Sequence, residues 1–309
     1  MFDFLFSKYK AFGFKNTVKL FILPMLKSIF TKKESHILSR PAIREYILDV
    51  IQPIIHQYKT KSFENKPIED NCPIWVCWWQ GIDSLHPLGR LCLKYIEKNK
   101  GNHEIIFISE HNYQEYVSLD PIFLERLNKK EISFTHFTDV LRFALIKENG
   151  GIWLDSAILM LKPLVLNDCS FFSNKNLAKD NKYISNYRWT GGVLAGGKDS
   201  LLFNFIYDCY LIYWKKNSLV VSFMIMDYLI DIAYELFPEV RKQIDEVPII
   251  NPDFYVLKSL FNSPYDSNIV EHIFVHNTLL SLNRRFSYQE TDNNRKTTYY
   301  GYFKQRVES

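Results

Sequence analysis

The apolar positions alternate between short buried runs and amphipathic stretches. Residues 74–79 and 104–109 are short, continuous apolar segments, the pattern of strands covered on both faces. Residues 85–99 between them read as a helix. Residues 135–149 read as a stronger one, because Phe137, Val140, Leu141, Ala144 and Leu145 fall on one face. Gly150 and Gly151 close that helix, as a helix C-terminus favours. Residues 152–154 and 158–161 follow as third and fourth strands. Before this core, residues 41–59 predict an amphipathic helix with Pro41 in its first turn, and the polar stretch 60–73 predicts a linker. Residues 111–130 predict short helices around Pro121. Beyond the core, strands are expected at 183–187, 193–195 and 272–276, and helices at 200–216 and 219–236; the tail from 287 is polar and rich in Tyr.

Strand, helix, strand, helix, strand over 74–154 predicts an α/β fold with a Rossmann-like, mostly parallel sheet flanked by helices. Such sheets bind ligands beyond the carboxyl ends of their strands. Here that edge is residues 78–83, 110–113 and 155–157. The expected organisation is a basic helical extension over 1–70, the α/β domain over 71–286 and a tail over 287–309.

The 309 residues are 47% hydrophobic and 23% charged, which excludes a disordered chain. The five cysteines, Cys72, Cys77, Cys92, Cys169 and Cys209, form no Cys-x-x-Cys pair and sit among apolar neighbours, as reduced cytoplasmic thiols do. The net charge of +4 is unevenly spread. Residues 1–33 hold seven lysines against one acid, Asp3, and eight aromatics: Phe2, Phe4, Phe6, Tyr9, Phe12, Phe14, Phe21 and Phe30. The body is left near neutral, so a nucleic-acid partner is not expected. Lysines and Pro24 interrupt every apolar run in 1–33, which argues against a spanning helix and a secretory signal. Phe2, Leu5, Phe6 and Tyr9 share one helical face. Two roles follow for this segment: a helix lying on the inner membrane surface, held by its lysines, or a helix packed on the body.

The chemistry gathers around Asp139, Arg142 and Asp155. Asp139 and Arg142 are three apart on a helix, on the face away from the apolar stripe. The strand after Gly150-Gly151 delivers Asp155 at its carboxyl end, where a carboxylate suits a divalent cation on a diphosphate. Asp227, among Phe223, Met224, Ile225 and Met226, is a charge that needs a partner and a second candidate for electrostatic catalysis. Trp189-Thr190-Gly191-Gly192 predicts either a sugar or acceptor loop or an ordinary turn. No Gly-x-Gly-x-x-Gly follows the first strand, so a dinucleotide-dependent dehydrogenase is not expected.

Two separated motifs carry a resemblance. The run from Ser133 to Leu164, with Thr138-Asp139-Val140-Leu141-Arg142 and Asn149-Gly150-Gly151-Ile152-Trp153-Leu154-Asp155, resembles the sugar-binding region of family-32-like glycosyltransferases with a DXD-type motif. Pro73-Ile74-Trp75-Val76-Cys77-Trp78-Trp79-Gln80-Gly81 resembles the opening of their bacterial capsular polysaccharide synthesis branch. The resemblance spans roughly residues 70–285. It implies a GT-A fold and retaining transfer of a hexose from a nucleotide sugar, most often a UDP-sugar such as UDP-galactose or UDP-glucose, to a lipid-linked glycan acceptor, with Mn²⁺ or Mg²⁺. It implies donor contacts from Trp78, Trp79, Gln80, Gly81, Arg142, Gly150, Gly151, Ser156 and Ala157, with Asp155 at the metal–diphosphate and Asp139 and Arg142 on the donor sugar. It also makes His276, in His276-Asn277-Thr278-Leu279-Leu280-Ser281-Leu282, a candidate metal or phosphate contact or else an ordinary histidine. Ala157 stands where the motif has a second carboxylate, which weakens the metal expectation. The alternative is a non-catalytic relative that binds nucleotide sugar or glycan.

Overall fold

A computed structural model describes residues 2–32, 34–64, 66–166, 169–177, 180 and 182–308. Lys33, one of the seven N-terminal lysines, lies outside them.

The chain begins with helices α1 (Phe2–Thr17), α2 (Leu23–Thr31), α3 (Ser35–Leu38) and α4 (Arg40–Lys59). The core then runs β1 (Ile74–Cys77), α5 (Pro87–Asn99), β2 (Ile105–Ile108), α6 (Pro121–Asn128), α7 (Phe134–Asn149), β3 (Gly151–Leu154), β4 (Ile158–Met160), β5 (Phe171–Ser173) and β6 (Val193–Gly196). Helices α8 (Leu201–Lys216), α9 (Ile225–Leu236), α10 (Pro238–Glu246), α11 (Leu257–Leu260) and α12 (Ser267–His276), strand β7 (Leu279–Ser281) and helix α13 (Tyr299–Glu308) complete it.

The central sheet has the order β2-β1-β3-β6-β5. β2, β1 and β3 are parallel, with Ile74 opposite Ile105 and Ile152. β6 alone reverses, pairing Leu154 with Val193 and Gly151 with Gly196, and β5 pairs antiparallel with β6. Every residue of β1, β3 and β6 is buried, which explains their unbroken apolar sequences. Helices flank this sheet: α8 packs against α4, α7 and α9, while α5 packs against β4 and α13. The expected α/β architecture with an N-terminal helical extension is therefore present.

A separate ribbon pairs β4 with β7, Ile158 opposite Ser281. Its antiparallel register carries the chain after β7 back beside residues 155–157, and the Leu282 N–H donates to the Ala157 carbonyl at 2.9 Å.

Several sequence expectations are corrected. Residues 183–187 form turns, with Asn186 and Tyr187 at φ of 45° and 61°, which no strand adopts. Residues 272–276 are the end of α12; Asp266 caps this helix by accepting from the N–H groups of Asn268 and Ile269. The helix expected over 219–236 starts only at Ile225, because residues 219–224 are irregular. The polar tail contains a helix, α13, whose Tyr299, Tyr300 and Phe303 join a second apolar core with Tyr95 and Phe261. All five cysteines are free thiols.

Candidate active site

The carboxyl ends of β1 and β3 open onto a cavity of about 910 Å³. Three connections converge on it. The stretch after β1 supplies Trp78, Trp79, Gln80 and Ser84; the turn after β3 supplies Asp155, Ser156 and Ala157; and the loop before β6 supplies Thr190 and Gly192. The reversal of β6 makes the preceding loop, rather than the following one, reach this edge. The stretch after β7 adds Asn283, Arg284 and Arg285, and α11 adds Lys258 beside Tyr255.

Arg142 reaches the cavity lining, and Asp139 lies behind it. Both are buried, because α7 is covered on nearly every side. The face away from the apolar stripe is therefore buried as well. Arg142 Nη2 lies 3.0 Å from Asp139 Oδ1 and 3.5 Å from Asp155 Oδ1. Its Nη1 donates to the Gly191 carbonyl, and its guanidinium stands 4.9 Å from the Trp153 ring centroid. Arg142 thus ties α7, the end of β3 and the loop before β6 into one unit. Its pKa is raised: burial alone would lower it, and Asp155 and Asp139 outweigh that effect. Burial pushes the Asp139 carboxyl up to about 6, against the opposing pull of Arg142.

Asp155 is the one carboxylate lining the cavity among the described residues, with its side chain 46% exposed. The Trp153 indole N–H donates to its Oδ1 at 2.8 Å. Its backbone N–H donates to the Gly192 carbonyl at 2.9 Å, and a Cβ on Gly192 would stand 3.2 Å from its Oδ2. The rest of the loop is held from behind. The Trp189 indole donates to Asp227 Oδ1 at 2.9 Å, and Met226 packs where a Cβ on Gly191 would sit. Asp227 is buried, with burial raising its carboxyl to about 6. Neither Trp189 nor Asp227 lines the cavity. Of the predicted loop, Thr190 and Gly192 line the cavity, while Trp189 and Asp227 stand behind it and hold it in place.

Gly150 and Gly151 sit at the opposite end of β3 from Asp155. A Cβ on Gly151 would come within 2.5 Å of the Pro73 carbonyl and 2.6 Å of the Trp75 indole nitrogen. They serve close strand packing rather than donor contact. Gly81, at φ 87°, turns the chain after β1 and lies outside the cavity lining. His276 is exposed at the end of α12, its ring 4.4 Å from that of His272, and does not line the cavity. Ser281 and Leu282 from the same stretch do.

Sequence reading missed Tyr255, Lys258, Arg284 and Arg285. The Tyr255 hydroxyl is hydrogen-bonded to Thr190, and Lys258 Nζ lies 4.5 Å from the Tyr255 ring centroid. Arg284 lies 5.7 Å from the Trp78 ring centroid. Nothing in their local pattern marks them, because they reach the cavity only through the β4–β7 pairing and the packing of α11.

The donor set offers little to a divalent metal. Asp155 brings one carboxylate, already engaged by Trp153 and Arg142, and the neighbouring Ala157 brings none. Among the described residues no group of three or more His, Cys, Asp or Glu side chains is placed to hold a metal. These residues do not fit a resident metal ion.

The sheet thus delivers aromatic walls, one carboxylate and several cations to one cavity of an α/β protein. The chain belongs to the capsular polysaccharide synthesis protein family, whose model matches residues 24–303. Among solved structures it is similar to one titled "PaToxG Glycosyltransferase", at 15% identity and a TM-score of 0.41, over 77% of this chain and 96% of that one. No curated protein matches it.

Proposed function

We propose that this chain is a glycosyltransferase that moves a hexose from a nucleotide sugar, with UDP-sugars the first class to test, onto a lipid-linked glycan during capsular polysaccharide synthesis. The observation that carries the reading is the cavity at the carboxyl ends of β1 and β3, with Asp155 facing four cations and tryptophans on its wall, in a chain of that family. Trp78 offers a ring face to the base. Asp155, held by Trp153 and Arg142, faces the anomeric carbon.

The chemistry required is charge management. The bond between the anomeric carbon and the diphosphate oxygen breaks, and its electron pair leaves with the diphosphate. The acceptor hydroxyl oxygen forms the new bond on the same face of the sugar, and its proton passes to the departing phosphate. Positive charge builds on the sugar, where the Asp155 carboxylate favours it. Negative charge builds on the diphosphate, where cations favour it.

The exposed aromatics of α1 and α2, among lysines, support a peripheral position on the inner membrane face, beside a lipid-linked acceptor. No described helix is long and apolar enough to cross a membrane.

The test is release of nucleoside diphosphate from a panel of UDP-, GDP- and dTDP-sugars by the purified full chain with a lipid-linked acceptor. Turnover with one donor class, lost in Asp155→Asn with the fold intact, is the expected result. Tight nucleotide binding without turnover of any donor would favour a non-catalytic binding relative.

A further inference from the structure

We infer that Lys258, Arg284 and Arg285 hold the donor's diphosphate and stabilise it as the leaving group, a task that a DXD-type site gives to a divalent metal. The inference rests on the donor-site reading above.

The cavity carries more positive charge than it can neutralise. Arg142 is committed: it is paired with Asp139 and Asp155 and bonded to the Gly191 carbonyl. Lys258, Arg284 and Arg285 also line the cavity, and none of them is within ion-pair distance of a carboxylate among the described residues. Lys258 feels the Asp155 carboxylate, the one acid lining the cavity, and the two arginines add charge with no carboxylate in ion-pair reach, which leaves a positive field that a bound polyanion relieves. A diphosphate is such a ligand.

Their position is the second argument. The backbone of Ala157, where a second motif carboxylate would stand, pairs with Leu282, two residues before Arg284. The fold therefore brings the stretch that carries two exposed, cavity-lining arginines next to the position where a second motif carboxylate is absent. A metal there would compete with Arg142 and the Trp153 indole for Asp155, whereas an anion on the arginines competes with nothing. Guanidinium groups suit the task because they donate in a planar fork to phosphate oxygens and stay charged at every working pH. Arg284 also stands beside Trp78, so the base wall and the diphosphate clamp are contiguous.

Calorimetric titration of the full chain with UDP, GDP and dTDP tests this, in EDTA and in excess Mn²⁺. Uridine serves as a probe without phosphates. The wild type is expected to bind its preferred diphosphate about equally in both buffers. The double variant Arg284→Ala/Arg285→Ala, with an unchanged melting temperature, is expected to lose about 10- to 100-fold in diphosphate affinity and little for uridine, the loss that follows removal of charge-assisted hydrogen bonds. Lys258→Ala is expected to give a smaller loss of the same kind. Affinity that collapses in EDTA and returns with Mn²⁺ would overturn the inference while leaving the donor site standing, as would an unaffected double variant. No binding of any diphosphate in either buffer would overturn the donor-site reading and the inference with it.

Discussion

At the scale of single residues, Arg142 is the centre of the site. It is buried, it joins three elements, and it keeps Asp155 aimed at the cavity. Replacing it by Met leaves Asp139 buried without its cation, which costs roughly 3–5 kcal/mol when a buried pair loses one partner. Urea unfolding at pH 8 reads this directly. The loss should shrink at pH 5, because an unpaired Asp139 escapes its desolvation cost by taking up a proton. Asp227 gives a second pH test. Its native pKa of about 6 lies above the ordinary 3.8, so the folded chain takes up a proton between those values that the unfolded chain does not. Its contribution is favourable below that window and lost as pH rises through it. Asp227→Asn removes this titration, so its stability relative to wild type should rise between pH 5 and pH 7.5. A difference that stays flat would show that Asp227 does not titrate there. The Asp139–Arg142–Asp155 set was legible in the sequence because helix periodicity and a strand end fix its placement. Its burial was not, since α7 looks amphipathic and only the packing of α8, the end of β3 and the loop before β6 covers its other face.

At the scale of elements, strand geometry decides which loops reach the cavity. Parallel β1 and β3 were readable from their apolar runs, and with them Trp78 and Asp155. The reversal of β6 was not readable, because a buried strand has the same composition in either direction; it is what brings Thr190 and Gly192 beside Asp155. The β4–β7 ribbon was missed for a related reason. β7 is three residues long and follows a helix whose apolar residues imitate a strand, so Arg284 and Arg285 had no visible address. The glycines were recognised as the end of α7, and Gly150 does cap it; neither Gly150 nor Gly151 lines the cavity. Gly151 holds φ of 114° with the Pro73 carbonyl in the space of a Cβ, and a residue forced into that conformation costs about 1–3 kcal/mol before the clash is counted. Gly151→Ala should therefore lower the melting temperature markedly. Gly81→Ala, with φ of 87° but open space, should lower it less. Equal melting temperatures would remove the packing role assigned to Gly151.

At the scale of the whole molecule, the N-terminal helices are docked on one side and exposed on the other. Their inner side is docked: Phe12 meets Tyr46 edge-on at 5.6 Å, Lys19 pairs with Glu45 at 2.7 Å, and Leu20 is buried. Their outer side leaves Phe2 at 87% and Phe30 at 85% exposed, with Phe6, Phe14 and Ile29 also exposed. Exposed aromatics beside lysines suit the boundary of an anionic bilayer. Replacing Phe2, Phe6, Phe14 and Phe30 together by Ser should reduce co-sedimentation of the full chain with phosphatidylglycerol vesicles without changing its melting temperature. Equal sedimentation would remove the membrane role and leave the segment as packing alone. The charge asymmetry suggested a surface address; only the structure separates the docked aromatics from the exposed ones.

The most direct measurement of the central claim is a crystal structure of the chain with UDP. The account predicts the uracil against Trp78 and the diphosphate within hydrogen-bonding distance of Arg284, Arg285 or Lys258, at the cavity beyond β1 and β3. A nucleotide bound elsewhere, or a cavity left empty at saturating UDP, would contradict it.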